Sequence, residues 1–423
     1  MMLILYNLLL LLSLPFLSLL LLVPRHRRGL AARFGFPPRA PADGRRTVWF
    51  HAVSVGEVMA AAPLVEAYRR RWPSDRIVVT TVTATGQQVA RSNLGSADLI
   101  TYFPFDLPWS VARSIDRLAP SCVVLLETEI WPNFLRVVRR RLVPVVIANG
   151  RISDRSFRRY AKVSFFLRRV LDLPCRFAMQ TEQDAERIIR LGAPRERVVV
   201  FGNVKFDRAS AGVNASGGRL RQILHAEGQQ PVFLAGSTHA GEEEIVLAAW
   251  DRVRRAIPGL RLVLAPRHPD RAPSVETLAR RMGLASRRWS EVRRGDALSP
   301  EAFVLVDTVG ELAGFFEAAD VSFVGGSLVP AGGHNLLEPA GAGSPILVGP
   351  HTENFREIAD LLIADGAARV VGPDDLAVAL EGLLKDEATR RAMGDAGRRV
   401  VAINAGAAGR TIDLLGELIG EPS

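Results

Sequence analysis

The sequence predicts an α/β protein built from two Rossmann-like domains, and three observations carry that reading. The chain has 423 residues, 48% hydrophobic and 23% charged, which exceeds one ordinary domain and suffices to bury two cores. From Thr47 onward short apolar runs alternate with helical patterns, the rhythm of a parallel sheet covered on both faces. A stretch of small and polar residues, Asp207 to Gly218, interrupts the rhythm before it restarts, as a linker between two domains would.

In the first half the strand runs are Val48–His51, Ile77–Thr81, Val123–Leu126, Val143–Ile147 and Val198–Phe201, rich in the β-branched residues that suit a buried sheet. In the second half they are Val232–Gly236, Leu260–Ala265, Phe303–Val306, Val321–Gly325 and Ile346–Gly349. The expected organisation is an N-terminal segment over 1–30, a first domain over 31–206, a linker over 207–218 and a second domain over 219–423. The last helix is free to pack back on the first domain. Two such domains are expected to face one another, with the site at the C-terminal ends of their strands.

Ahead of the first strand, residues 2–23 form a Leu-rich run broken only by Asn7, Ser13, Pro15 and Ser18, and Arg25-His-Arg-Arg28 follows. About 22 apolar residues are enough to span a bilayer. A cleaved leader would carry charge before the run and small residues at its end, and this run has neither, so it reads as an anchor helix. The basic cluster behind it then places the rest of the chain in the cytoplasm. A monotopic insertion broken at Pro15 is the alternative.

The formal charge is +10, and Lys162, Lys205 and Lys385 are the only lysines, so arginine supplies nearly all the positive charge. Guanidinium groups make planar two-pronged contacts with phosphates, so anionic partners are expected. Arg136, Arg139, Arg140, Arg141, Arg151, Arg155, Arg158, Arg159, Lys162, Arg168 and Arg169 crowd one region of the first half, which suits an anionic lipid surface and equally an ordinary solvated face. Cys122 and Cys175 stand in no metal-ligand or redox spacing and read as core thiols of a reducing compartment. There is no Asp-x-Asp pair, no His-x-x-x-His and no Cys-x-x-Cys, so no metal and no cofactor is expected. Nor is there a Gly-x-x-x-x-Gly-Lys-Ser/Thr loop, which argues against a P-loop ATPase.

The richest stretch is Phe323 to Ala340, an apolar strand running into glycines and then a helix start. Gly325, Gly326, Gly332 and Gly333 let backbone amides approach an anion, and a helix N-terminus favours one. His334 and Glu338 are four apart and would share a helix face, with Glu338 one turn in, where a ribose would lie. The alternative is a glycine-rich corner around a buried histidine. Other strand ends are also polar. Ser54-Val-Gly56 leads to Glu57 at the opening of a helix, where an ordinary helix-start acid also fits. Glu127 and Glu129 follow Leu126 and would point to opposite sides of an extended chain, so that one faces the cleft. Lys205 precedes the linker as a point charge; Ser237 and Thr238 end one strand, and Arg267 and His268 the next.

Taken in order, His51-Ala-Val-Ser-Val-Gly-Glu57, Glu127-Thr-Glu-Ile-Trp-Pro-Asn133, Gly202-Asn-Val-Lys-Phe-Asp207, Ser237-Thr-His-Ala-Gly-Glu242, Pro266-Arg-His-Pro269 and Gly325-Gly-Ser327 through Gly332-Gly-His-Asn335 to Gly349-Pro-His-Thr352 resemble the 3-deoxy-D-manno-octulosonic acid (Kdo) transferases of Gram-negative bacteria. The resemblance covers nearly the whole chain after the N-terminal run. It implies a GT-B glycosyltransferase, preceded by a membrane anchor, that moves Kdo from CMP-Kdo to a lipid A precursor at the cytoplasmic face of the inner membrane. Inversion at the anomeric carbon and independence of metals come with it, and no nucleic acid is implied as a partner. On this resemblance Glu57 is the general base and Glu129, in preference to Glu127, a second essential acid. Ser54 and Gly56 lie in the base's motif. Ser237, Thr238, Arg267, His268, Gly326, Ser327, Gly333, His334, Asn335 and Glu338 match the CMP-holding stretches, with Glu338 on the ribose, and Lys205 offsets charge on the leaving phosphate or the Kdo carboxylate. The competing readings are a GT-B lipid glycosyltransferase using a UDP-sugar, a nucleotide-sugar epimerase, and a catalytically silent membrane-tethered sensor.

Overall fold

A computed structural model describes residues 2–20, 28–211, 216–224 and 230–420. The chain divides into two compact units, Met1–Asp207 with Ala405–Ser423, and Arg208–Asn404.

The first unit is a seven-stranded parallel sheet of β1 (Thr47–His51), β2 (Arg76–Thr81), β3 (Leu99–Tyr102), β4 (Cys122–Leu126), β5 (Val145–Gly150), β6 (Arg176–Met179) and β7 (Val198–Val200). Their order is β3-β2-β1-β4-β5-β6-β7, so the direction of winding reverses between β1 and β4, which pair in register from Val48 opposite Cys122 to His51 opposite Leu125. Every residue of β1, β2, β4 and β5 is buried, because helices cover both faces. On one face Val58, Ala61, Leu64, Val65 and Tyr68 of the Val55–Arg71 helix meet Ile412 and Leu415 of the Ala407–Ile419 helix. That last helix is capped by Asp207, whose carboxylate accepts the amides of Gly406 at 2.9 Å and Ala408 at 3.4 Å. On the other face Trp49, Phe103 and Phe134 pack together.

The second unit repeats the plan with β8 (Val232–Thr238), β9 (Arg261–Pro266), β10 (Ser286–Arg288), β11 (Phe303–Leu305), β12 (Val321–Val324), β13 (Ile346–Val348) and β14 (Ala368–Val370), in the order β10-β11-β9-β8-β12-β13-β14. Its reversal falls between β8 and β12.

Two expectations change. The division between the units falls between Asp207 and Arg208, at the start of the expected linker, but the helices Lys205–Ala211 and Ser216–Leu224 occupy most of 207–218, and 212–215 lie outside the described residues. The bilayer-spanning reading of residues 2–23 is not supported. Met2–Leu20 is helical, residues 21–27 lie outside the described residues, and among the described residues no helix is long and apolar enough to cross a membrane. Two early polar residues of this helix are hydrogen-bonded to the first unit. Tyr6 donates to Asp106 Oδ2 at 2.8 Å, and Asn7 Oδ1 accepts from Asn133 Nδ2 at 2.6 Å. Ile4, Leu5, Leu8, Leu9 and Leu12 of the same helix are exposed.

Candidate functional site

Open parallel sheets bind ligands outside the carboxyl ends of the strands at the point of reversal. In the first unit those ends belong to β1 and β4, and they carry Glu57 and the pair Glu127, Glu129. Ser54 stands at the N-cap position of the Val55–Arg71 helix, and Glu57 in its first turn folds back, accepting from Val53 N at 2.8 Å and the Ser54 hydroxyl at 3.1 Å. Burial raises the Glu57 carboxyl to about 7, the amide of Val53 opposes it, and the charges of Glu129 and Glu127 add to it. Glu129 also rises to about 7, through burial first and Glu127 beside it. Two carboxyls poised near neutrality exchange protons readily at physiological pH. Tyr160, which sequence reasoning missed, has its phenol pushed upward by burial and by the charge of Glu129.

The loop is held by strain and by a backbone clasp. Glu127 takes φ +57°, a left-handed conformation that costs a β-carbon residue energy, so the chain leaves β4 without staying extended. Both acids lie near enough for their charges to act on Glu57. Thr128 between them accepts from Arg151 N at 3.0 Å and donates to Arg151 O, fixing the turn. Gly56 lies inside the helix, and a Cβ added there would meet nothing within 4 Å. Lys205 opens the Lys205–Ala211 helix and is half-buried, its amide donating to Asn203 Oδ1 at 3.0 Å. His51, fully buried with its ring 3.7 Å from that of Phe103, is held neutral, because burial pushes it down to about 3. It is a core histidine.

In the second unit the reversal lies between the ends of β8 and β12. Ser237 has φ +58°, and the buried Thr238 hydroxyl has no hydrogen-bond partner. His239, also missed by sequence reasoning, brings Nε2 to 2.8 Å from Nε2 of His334, the two rings 5.0 Å apart and within 9° of parallel. Burial lowers His334 to about 4, helped by His239, Arg267 and His268, and burial likewise lowers His239. At neutral pH both imidazoles are therefore uncharged, and one donates to the other. Arg267 and His268 follow β9 and are exposed, with Arg267 N donating to Thr238 O at 2.9 Å.

The glycine-rich turn departs from expectation. Gly325 is required by close approach, since a Cβ there would lie 2.5 Å from the Ser237 carbonyl oxygen, and Gly326 by its φ of +69°. Yet the amides of Gly326, Ser327 and Leu328 all donate to one internal carboxylate, Glu242, leaving none of them for a ligand. Ser327 is buried, its hydroxyl donating to Val324 O at 2.5 Å and accepting from Gly349 N at 2.8 Å. Gly333 also turns inward, its amide donating to Gly326 O at 2.7 Å. His334 precedes the Leu337–Ala342 helix, so it shares no helix face with Glu338. The Glu338 carboxylate instead accepts from Asn335 Nδ2 at 3.1 Å. Histidines just past the ends of two strands, at 239 and 268, and the three-residue spacing of His239 and Glu242 were the signals available. Among the described residues no group of three or more His, Cys, Asp or Glu side chains is arranged to hold a metal.

Comparison with known proteins is consistent with this geometry. A sequence model described as 3-deoxy-D-manno-octulosonic-acid transferase (kdotransferase) matches residues 28–208. The 3-deoxy-D-manno-octulosonic acid transferase of Haemophilus influenzae is 37% identical over 401 residues, covering 93% of this chain and 92% of its own length. That of Bordetella pertussis is 36% identical over 399 residues, covering 92% and 91%. Among solved structures, the UDP-GlcNAc 2-epimerase of Neisseria meningitidis superposes with a TM-score of 0.61 at 12% identity, over 88% of this chain and all of its own. A glycosyltransferase of Rickettsia africae does so at 0.55 and 11%, over 89% and 99%. At such identities these two show the fold alone, that of paired parallel-sheet domains as in GT-B glycosyltransferases. The full-length likeness to the Haemophilus and Bordetella enzymes settles the rest: this chain belongs to the 3-deoxy-D-manno-octulosonic acid transferase family of glycosyltransferases.

Proposed function

We propose that the enzyme transfers Kdo from CMP-Kdo to a lipid A precursor of the lipid IVA type, with inversion and without a metal. The observation that carries the reading is Glu57, a buried carboxyl raised to about 7 at the β1/β4 reversal. As carboxylate it takes the proton from the acceptor's primary hydroxyl while that oxygen bonds to the anomeric carbon of Kdo. The electron pair of the breaking C–O bond leaves with CMP. In the first unit Glu129 or Glu127 offers a carboxylate for the positive charge developing on the sugar; in the second, Arg267 and the one free Nδ1–H of the His239–His334 pair offer donors for the phosphate of CMP. The open space over Gly56 supports access for a large acceptor.

The exposed Ile4, Leu5, Leu8, Leu9 and Leu12, with Arg25 to Arg28 following in sequence, support attachment to the cytoplasmic face of the inner membrane, where such an acceptor resides. Mass spectrometry of lipid IVA incubated with CMP-Kdo and the protein tests the proposal. The expected product is heavier by one or more Kdo units, and a Glu57→Ala variant binds CMP but makes none. A larger thermal shift with UDP than with CMP would overturn the donor assignment.

A further inference from the structure

Glu242 is fully buried at the first position of the Glu242–Ala256 helix, and its carboxylate accepts four backbone amides. Oε2 receives His239 N at 2.8 Å and Gly326 N at 2.7 Å, and Oε1 receives Ser327 N at 2.9 Å and Leu328 N at 2.8 Å. Consecutive amides of a glycine-rich turn form the concave nest in which proteins commonly hold phosphate. Here the chain supplies its own anion to that nest.

The consequence reaches the two imidazoles through backbone alone. Glu242 fixes His239 N on the β8 side and Gly326 N on the β12 side, and Gly326 O in turn accepts Gly333 N at 2.7 Å, immediately before His334. His334 packs directly over Gly326, where a Cβ would stand 2.9 Å from its ring carbon Cδ2 and 3.5 Å from that of His239. Both histidines are thus placed by one carboxylate that touches neither ring by a hydrogen bond.

We infer that Glu242 is a positioning residue: it is the resident anion of the glycine-rich turn, and its charge holds His239 and His334 in register for the phosphate of the nucleotide donor. The donor's identity rests on the function proposed above, whereas the register of the two imidazoles does not. Glutamine at 242 keeps the shape but turns an NH2 group toward amides that need an acceptor, and it removes the charge. Alanine leaves a cavity sized for a small carboxylate.

The test uses the full chain with its histidines 15N-labelled. In the nucleotide-free protein, Glu242→Gln is expected to abolish the imidazole signature of the His239–His334 hydrogen bond, and Glu242→Asp to retain part of it. CMP affinity by calorimetry is expected to fall roughly ten- to a hundredfold in Glu242→Gln, the span produced by losing charge-assisted hydrogen bonds. Formate is expected to restore both readouts in Glu242→Ala and neither in Glu242→Gln, whose cavity is filled. Unchanged imidazole signals in Glu242→Gln would overturn the inference, as would a folded Glu242→Ala that formate does not rescue. Should Glu242→Ala fail to fold, Glu242→Asp with wild-type signals and affinity overturns it equally. Failure of the wild-type protein to bind CMP would instead sink the donor assignment and leave the imidazole result standing.

Discussion

The Tyr6 hydroxyl donates a 2.8 Å hydrogen bond to the carboxylate of Asp106, 100 positions along the chain. Asp106 also accepts the amides of Asn133 at 3.1 Å and Phe134 at 2.7 Å, so it caps the Pro132–Arg140 helix from a distant loop. The N-terminal helix is thereby joined to the first turn that follows the Glu127–Trp131 loop.

Tyr6→Phe is expected to lower stability by about 1–3 kcal/mol, the scale of a hydrogen bond to a charged group, measured by urea unfolding. Burial raises Asp106 from 3.8 to about 6 despite its three donors. A raised carboxyl contributes stability that is present below its unfolded value and lost as pH rises through the folded one. The stability of the wild type relative to Asp106→Asn should therefore fall between pH 3.8 and about 6.

Transfer by the wild type is expected to rise with pH through about 7, since Glu57 acts as the ionised base. Glu57→Gln should lose transfer by roughly a hundredfold or more, the scale of general-base catalysis, with CMP affinity unchanged. Its stability should move the other way. The wild type carries the cost of a buried carboxylate once pH passes about 7, so at pH 8 Glu57→Gln should unfold at equal or higher urea.

Gly325→Ala should destabilise the second unit more than Gly326→Ala. The first drives a methyl to 2.5 Å from a backbone carbonyl, and the second meets an imidazole edge at 2.9 Å that is able to give way. Gly326→Ala should instead weaken CMP binding, read by calorimetry, by disturbing His334.

Replacing Leu5, Leu8, Leu9 and Leu12 with serine should cut co-sedimentation with anionic vesicles while leaving transfer to a detergent-dispersed acceptor intact. All four are exposed in the structure, so the fold has no need of them.

Strands buried on both faces were legible because apolar residues dominate them. β3 and β6 escaped because they are short, Leu99-Ile-Thr-Tyr102 being half exposed and β6 opening on Arg176, and β10 and β14 are three-residue edges. Site legibility followed the same logic. Glu57 and His334 announce themselves by following glycine, Glu57 in the first turn of the helix after β1 and His334 between β12 and the next helix. Glu242 did not, since one carboxylate at a helix start looks like any other until four amides are seen to converge on it. The glycines near it suggested a vacant anion nest, and sequence spacing carries no sign that a residue 84 positions earlier fills it.

The return of Ala407–Ile419 to the first unit bears on how the protein is made. Ile412 and Leu415 complete the layer over Val58 and Leu64, so that layer stays open on the ribosome until the last residues emerge. The second unit, Arg208–Asn404, is contiguous and is ready to collapse first. A chain cut after Asn404 should therefore leave the second unit whole and expose an aggregation-prone face on the first, whose sheet it does not touch.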